Sequence, residues 1–228
     1  MGFCWVLVST LFLLKGINMF NDGGFYININ GHKIYGYSRY IEFYREIVTN
    51  MADGDVMVEV GSFLGQSTSA MGTFIKDSKK CIDFHAVDLF DLSDFSDAPH
   101  YEVIEAHGGD FLAAFKHNLK ETDTLDIVKI HKAASIDAAE EFEDRSISFL
   151  MIDASHAYQD VIDDIKAWYP KVKLGGIISG DDFDFDEVKQ AVTDTCGETV
   201  MVYPNTTWWF RKQFVTLEEQ KLAKKPGK

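Results

Sequence analysis

From residue 55 onward, short apolar runs alternate with longer stretches in which apolar residues recur at three- and four-residue spacing. The runs have the length of strands and are rich in Val, Ile and Phe. They are VMVEV (56–60), DFHAVD (83–88), DIVKIH (126–131), SISFLMID (146–153) and GGIISGDD (175–182). This alternation predicts βαβ units and therefore an α/β fold with a doubly wound, mostly parallel sheet.

The stretches between these runs predict helices that pack on the sheet. The clearest is AYQDVIDDIKAWYPKV (157–172), whose apolar residues share one face: Tyr158, Val161, Ile162, Ile165, Trp168 and Val172. DFLAAFKHNL (110–119) and SIDAAEEFED (135–144) are shorter examples. An aromatic-rich helix is predicted over residues 35–51. It either covers the mouth of the sheet or packs on its side.

Two apolar runs near the C-terminus have no helix between them, TVMVYP (199–204) and TWWFRKQF (207–214). They predict an antiparallel hairpin at the edge of the sheet. The 228 residues suffice for one sizeable α/β domain. We therefore expect one domain over residues 35–215, preceded by an extension (1–34) and followed by a basic tail (216–228), whose end KLAKKPGK (221–228) is expected to be frayed.

The N-terminal stretch FCWVLVSTLFLL (3–14) is apolar, but its 12 residues are too few to span a bilayer. No Lys or Arg precedes it and no A-x-A site follows it, which disfavours a secretory signal. Three interpretations stay open. It is an extension outside the core with a start near Met19, a hydrophobic helix packed on the domain or a partner, or a secretory leader.

Composition narrows the class of partner. The net charge is −14, and an acidic chain repels phosphate backbones, so nucleic acid is disfavoured. The three cysteines lie far apart and form no CxxC motif, which favours a reducing compartment and a cytoplasmic protein. We expect a small-molecule partner and no membrane span, and a homo-oligomer stays open.

Ligands of open α/β sheets bind beyond the carboxyl ends of the strands. The first strand runs into VEVGSFLGQSTSAM (58–71), where Gly61 and Gly65 allow a tight turn. Three hydroxyl side chains are expected to cap the helix that follows: Ser62, Ser67 and Thr68. The turn has neither G-x-G-x-x-G nor a GK[ST] ending, so a phosphate cradle is disfavoured. Glu59 would repel a pyrophosphate and attract an ammonium.

Acids follow other strands at the same edge. Asp88 ends the second strand, where a carboxylate could accept hydrogen bonds from a ribose, or could be a plain loop residue. Asp153 ends the fourth strand, and Asp181 with Asp182 ends the fifth. Carboxylates at a buried edge cost free energy unless they are paired or bound, so this set indicates a site. Three further acids are expected to be solvated, with the second capping a helix: Asp184, Asp186 and Glu187.

Residues 58–212 resemble class I S-adenosylmethionine-dependent methyltransferases. They are most similar to the small acidic branch grouped with cephalosporin-hydroxylase-like and macrocin-type O-methyltransferases. The resemblance rests on VEVGSFLGQST, AVDLF, FLMIDASHAYQDVIDDIKAWYPKVKLGGIISGDDF, EVKQAV and TTWWFRK. It implies a Rossmann-like fold, S-adenosylmethionine as cofactor, and methylation of an oxygen on a small molecule or sugar.

The resemblance also assigns residues to the cofactor. It places Gly61, Ser62 and Gly65 under the methionine part and Glu59 toward the ammonium, directly or through water. Asp88 would hold the ribose diol. The remaining positions assigned to the cofactor are Ser67, Ala134, Ser135 and Asp153, of which Ala134 and Ser135 would border the adenine.

A metal is implied in the same way. In macrocin-type and catechol-type relatives, an Asp after the fourth strand and an acidic pair after the fifth hold a divalent cation. The matching positions here are Asp153, Asp181 and Asp182, and hard oxygen ligands suit magnesium. For the acidic pair, metal binding and a plain loop or cofactor contact stay equal interpretations.

The sequence departs from the family at IDASH, where many relatives have IDGD or IDGSH. Ser155 stands where macrocin-type enzymes have an Asp that could act as base. We therefore expect His156 to be the general base, with a hydrogen bond to its own loop or to the helix start as the alternative role. Two other functions stay open: a non-catalytic module of the same fold, and a nicotinamide-dependent oxidoreductase, which the missing glycines disfavour.

Overall fold

The computed structural model describes residues 17–18, 26–91, 102, 104–204 and 206–223. The strands are β1 Ile17–Asn18, β2 Tyr26–Ile29, β3 His32–Tyr35, β4 Val56–Val60, β5 Asp83–Asp88, β6 Val128–Lys132, β7 Ile147–Ile152, β8 Val172–Gly180, β9 Met201–Val202 and β10 Trp208–Arg211. The longer helices are α1 Ile41–Asn50, α2 Gln66–Ser78, α3 Phe111–Glu121, α4 Ser135–Ala139, α5 Tyr158–Trp168, α6 Asp186–Cys196 and α7 Leu217–Leu222.

Seven of these strands form one sheet in the order β6-β5-β4-β7-β8-β10-β9. Strands β4 to β8 pair in parallel, whereas β10 runs antiparallel to both β8 and β9. The predicted doubly wound sheet and its antiparallel C-terminal hairpin are therefore confirmed. The strand order reverses between β4 and β7, which places the switch point, and with it the expected ligand crevice, at the carboxyl ends of these two strands.

Alternation along the strands gives the sheet two buried faces. Met57 of β4 and Phe149 of β7 point into one core, which also contains residues of α1, α2, α3, β2 and β3. Val58 and Leu150, the next residues of the same strands, point into the other core with α5 and α6. Burial on both faces explains why these strands are apolar throughout.

Several predicted boundaries differ from the observed ones. The helix predicted over 157–172 ends at Trp168, since Pro170 lies in the 3-10 turn Tyr169–Lys171, and Val172 begins β8 instead of completing the helical face. The helix predicted from residue 35 begins at Ile41. The expected basic tail begins with α7, which Thr216 and Glu219 start with a reciprocal capping box, and only the last two residues of this helix fall within the expected frayed end 221–228.

The end of the expected N-terminal extension contributes to the core. Strands β2 and β3 pair as an antiparallel hairpin, and β1 pairs with β2. Ile27, Ile29 and Ile34 are buried in the core that faces α1 and α2. The apolar stretch 3–14 lies outside the described residues. Within the described ranges, no helix combines the length and apolar character needed to cross a membrane.

Candidate active site

The glycine turn after β4 is packed against the end of β7. Gly61 has φ of +87°, and a Cβ atom there would lie 1.9 Å from the carbonyl oxygen of Asp153. The Asp153 amide donates to the Val60 carbonyl at 2.8 Å, and the Gly61 amide donates to the Val87 carbonyl at 2.9 Å. Only a glycine fits between these backbones, so the turn lies directly at the switch point.

The side chain of Asp88 holds this turn by accepting hydrogen bonds from backbone amides. Its Oδ2 accepts from the amides of Ser62 at 2.9 Å and Phe63 at 2.8 Å, and its Oδ1 accepts from the Phe90 amide at 2.7 Å. Burial raises the pKa of Asp88, although these three amides oppose the rise. A carboxylate has about four acceptor positions, so one stays available. The ribose contact expected of Asp88 stays a prediction.

Glu59 is enclosed below the turn. Its carboxylate accepts from Tyr44 Oη at 2.9 Å and from Thr68 Oγ1, and only 1% of the residue is exposed. Burial raises its pKa, against the effect of these hydrogen bonds. The expected contact with a cofactor ammonium stays a prediction, because the structure gives Glu59 partners within the chain.

The predicted capping of α2 is wrong. The N-cap is Gly65, at φ of +82°, and no side chain caps the helix. Thr68 bonds Glu59 instead, and Ser67 is buried in the first turn of the helix. Ser62 Oγ is buried and makes no hydrogen bond of standard geometry among the described residues, although the hydroxyl lies close enough to Glu59 to help lower the pKa of that carboxyl group. An unpaired buried hydroxyl costs free energy, and a bound polar ligand could supply its partner.

Ala134 and Ser135 lie directly after β6, where the sequence predicted the border of a flat ring. Ala134 is the N-cap of α4, and both residues are partly exposed. Ser135 Oγ accepts from Trp168 Nε1 at 2.9 Å, which fixes its side chain against α5. The adenine contact of this pair is untested.

Asp153 lies at the carboxyl end of β7 and accepts a hydrogen bond from a residue that precedes α1. Tyr40, which is 1% exposed, donates from Oη to Asp153 Oδ2 at 2.6 Å. Burial and repulsion from Asp181 and Asp182 raise the pKa of Asp153 to about 8. The uncharged form of this carboxyl group is therefore favoured more than in an exposed aspartate.

The acidic pair after β8 is divided between different partners. Asp181 is buried, and its Oδ1 accepts from Thr206 Oγ1 at 2.5 Å and Thr207 Oγ1 at 3.4 Å. Asp182 has φ of +59°, an uncommon conformation for a residue with a side chain. Its Oδ1 accepts from Arg39 Nη2 at 2.5 Å, and its Oδ2 lies 2.8 Å from His156 Nε2. Burial would raise the pKa of Asp182, but His156 and Arg39 outweigh it and lower the pKa.

These contacts bear on the predicted metal site. Among the described residues, the metal-ligating atoms that lie within 4.8 Å of one another belong to Asp153, His156 and Asp182, and Asp181 is not in this group. Asp153 is bonded to Tyr40, and both oxygens of Asp182 have partners. Two residues of the predicted set, Asp153 and Asp182, belong to this group and Asp181 does not, so the set of three stays a prediction. The magnesium expectation itself stays untested.

His156 lies between the acidic strand ends and an open cavity. This cavity has a volume of about 650 Å³ and is lined by His156, Ala157, Asp184, Phe185, Asp186 and Glu187. The hydrogen bond to Asp182 raises the pKa of His156, against the effect of burial. Ser155 faces away, since its Oγ donates to Asp160 at 2.6 Å. Asp186 does not cap α6 as predicted, because the N-cap is Phe185 and has no side-chain bond.

Three residues of this region were not predicted as site residues: Arg39, Tyr40 and Tyr44. All three belong to the segment that joins β3 to α1, or to α1 itself, and they reach Asp182, Asp153 and Glu59 respectively. The aromatic-rich composition of residues 35–51 was the available signal. Of its two interpretations, coverage of the mouth of the sheet agrees with these contacts.

Comparisons with known proteins agree with this architecture. A protein-family model described as a methyltransferase domain matches residues 58–183. The O-methyltransferase NovP superposes with a TM-score of 0.60 at 19% identity, over 82% of this chain and 84% of NovP. An SAM-dependent O-methyltransferase from Thermotoga maritima gives 0.54 at 12% identity, over 84% and 78%. An rRNA methylase from Streptococcus thermophilus gives 0.52 at 13%, over 78% and 98%.

No curated protein matches the chain in sequence. At these identities the solved structures show a shared fold and do not identify an acceptor. The family model covers more than half of the chain, including the glycine turn, Asp88, Asp153 and the acidic pair. The chain therefore belongs to this methyltransferase family and is an S-adenosylmethionine-dependent methyltransferase.

Proposed function

We propose that this enzyme methylates an oxygen of a small molecule or sugar, and that His156 removes the proton of the acceptor hydroxyl. The observation that carries the proposal is the position of His156. It contacts Asp182 at the end of β8 and also lines the open cavity of about 650 Å³.

The residues around the turn of β4 support a cofactor site at the switch point. S-adenosylmethionine, when bound, supplies an electrophilic methyl group on a sulfonium. We assign its contacts to Gly61, Ser62, Gly65 and Ser67 at the turn, Asp88 at the ribose, Ala134 and Ser135 at the adenine, and Glu59 and Asp153 at the methionine end. Because this cofactor carries an ammonium and no phosphate, acids at the site agree with it. The buried hydroxyl of Ser62, which makes no hydrogen bond of standard geometry, further supports a polar ligand at the turn.

The geometry of His156 suits a general base. When neutral His156 donates from Nε2 to Asp182, Nδ1 is left as an acceptor for the proton of a hydroxyl. Asp182 orients the ring and stabilises its charged form after proton transfer. Because the pKa of His156 is raised, the neutral ring that acts as the base becomes the main form only at a pH above the ordinary pKa of 6.5.

The lining of the cavity limits the chemistry of the acceptor. Asp184, Asp186 and Glu187 give it a negative surface, and Phe185 is 46% exposed. This surface repels phosphate and carboxylate groups and admits neutral or cationic molecules. An exposed aromatic ring also suits the apolar face of a sugar. A nucleic-acid acceptor is disfavoured for the same electrostatic reason.

The sequence predicted magnesium assistance and a cytoplasmic location, and neither is tested by the structure or by the comparisons. Since the carboxylates that would hold the ion have partners on the chain, the proposed mechanism assigns deprotonation to His156 and alignment to the protein.

The first test is calorimetric titration of the protein with S-adenosylmethionine and with its demethylated product. We expect micromolar binding, which corresponds to about −8 kcal/mol. Absence of binding would refute the assigned cofactor site.

The second test measures release of the demethylated product with a panel of sugars and hydroxylated small molecules, and with RNA. We expect turnover with a hydroxylated small molecule, a loss of at least tenfold in His156→Gln, and no loss in His117→Gln, which changes an exposed histidine elsewhere. Turnover with RNA alone, or an unchanged rate in His156→Gln, would contradict the proposal.

A further inference from the structure

Arg39 makes contact with three carboxylates that follow β8. Its Nη2 donates to Asp182 Oδ1 at 2.5 Å, its Nη1 lies 3.3 Å from Asp184 Oδ2, and its Nε lies 3.8 Å from Asp181 Oδ2. Asp182 in turn contacts His156 through its other oxygen. The guanidinium therefore holds a fixed positive charge against both members of the acidic pair.

The segment between β3 and α1 is fixed in this position by contacts other than those of Arg39. The Ser38 amide donates to Gln66 Oε1 at 3.1 Å, and Gln66 Nε2 donates to the Ile34 carbonyl at 2.8 Å. Tyr40 is bonded to Asp153. Because both flanks of Arg39 are anchored, the backbone delivers its side chain to the strand ends.

These ion pairs are not mainly a source of folding stability. The Arg39 side chain is 41% exposed, and exposed ion pairs contribute little to the free energy of unfolding. Their effect is local and electrostatic. The guanidinium lies at hydrogen-bonding distance from Asp182, one of the three residues whose ligand atoms come within 4.8 Å of one another. A divalent cation on the same carboxylate would be repelled by a positive charge this close.

We propose that Arg39 takes the place of a divalent cation at the acidic strand ends, so that the enzyme positions its acceptor without a metal. The inference rests on the proposed function, since the position matters only if this edge binds the acceptor. Arg39 would supply positive charge and hydrogen-bond donors to an acceptor oxygen. It acts as a positioning residue, and His156 keeps the task of removing the proton.

The inference predicts that removal of Arg39 uncovers a cation site. Mn²⁺, a paramagnetic probe of oxygen-rich sites, is titrated by electron paramagnetic resonance into four proteins. These are the wild-type protein, Arg39→Ala, the control Arg45→Ala, and the double variant Arg39→Ala with Asp182→Asn. Arg45 is a matched control because it is 42% exposed and pairs with Glu42 at 2.5 Å. We expect Arg39→Ala to bind Mn²⁺ at least tenfold more tightly than the wild-type protein and Arg45→Ala, and the double variant to lose this gain.

Wild-type protein that binds Mn²⁺ as tightly as Arg39→Ala would overturn the inference, because Arg39 would then not exclude the ion. Failure of all four proteins to bind Mn²⁺ would overturn it as well, because the acids would not form a cation site. Calorimetry with S-adenosylmethionine on the same samples separates the two proposals. Absence of cofactor binding by the wild-type protein would count against the proposed function, whereas the Mn²⁺ result concerns Arg39 alone.

Discussion

Tyr40 Oη donates a 2.6 Å hydrogen bond to Asp153 Oδ2 and so joins the segment before α1 to the carboxyl end of β7. The two residues are 113 positions apart in the sequence. Tyr40 is almost fully buried, and burial is the main reason why the pKa of Asp153 rises to about 8. The bond thus gives a carboxyl group at the switch point a hydrogen-bond donor. It also fixes the segment between β3 and α1 over the site.

Tyr40→Phe should reduce the free energy of unfolding by about 1–3 kcal/mol, because it leaves a partly buried carboxyl oxygen without its donor. Chemical denaturation measures this change. Tyr26→Phe is the control, since Tyr26 is 37% exposed, and it should cost less than about 0.5 kcal/mol. Equal, small losses in both variants would contradict a structural role for the Tyr40 bond.

Gly61→Ala should destabilise the enzyme far more than Gly54→Ala. Both glycines have positive φ, of +87° and +82°, so both alanines bear the same conformational strain of about 1–2 kcal/mol. At Gly54 no atom lies within 4 Å of the added Cβ, whereas at Gly61 the Asp153 carbonyl lies 1.9 Å away. Thermal denaturation should therefore show a larger loss for Gly61→Ala, accompanied by loss of cofactor binding. Similar melting temperatures for Gly61→Ala and Gly54→Ala would mean that the turn is not packed closely against the end of β7.

The central strands could be predicted from sequence because each is buried on both faces and so forms a continuous apolar run. The predicted bounds of β4 and β5 agree with the structure at both ends. The predicted start of β8 was three residues late. Val172 continues the apolar spacing of α5, and only the turn at Pro170 separates the helix from the strand.

The site was only partly predictable. Acids at the strand ends are visible in the sequence, because parallel strands bring their carboxyl ends to one edge. Their partners are not visible, since Arg39 reaches Asp182 over a sequence separation of 143 residues. The capping error has a related cause. Thr68 has a side chain suited to a helix start, but tertiary contact directs it to Glu59.

Asp164→Asn should remove a pH-dependent loss of stability. Asp164 is 5% exposed on α5, and burial, with repulsion from Asp160 and Asp163, raises its pKa from 3.8 to about 6. A carboxyl group whose pKa is raised on folding stabilises the protein fully below pH 3.8, and this contribution is lost as the pH rises to about 6.

Between pH 4.5 and 7.5 the wild-type protein should therefore lose roughly 2 kcal/mol of unfolding free energy relative to Asp164→Asn. Urea denaturation of both proteins at the two pH values measures this difference, and other titrating groups cancel. A constant difference would show that Asp164 is charged in the folded protein over the whole range.

Ser62→Ala should weaken cofactor binding without weakening the fold. The hydroxyl of Ser62 is buried and makes no hydrogen bond of standard geometry among the described residues, so its removal breaks at most a weak contact with Glu59 in the free enzyme. The free energy of unfolding should stay the same or rise, because an unpaired buried polar group costs free energy. If the cofactor supplies the missing partner, its dissociation constant should increase by about fivefold to tenfold, which corresponds to roughly 1 kcal/mol. Calorimetry with S-adenosylmethionine, with urea denaturation of the free protein, measures both quantities.

Ser69→Ala is the matched control, because Ser69 is also buried but accepts a hydrogen bond from Thr122 at 3.1 Å. This variant should lose stability and keep its affinity for the cofactor. A Ser62→Ala variant that loses stability and retains full affinity would mean that this hydroxyl serves the fold and does not face the cofactor.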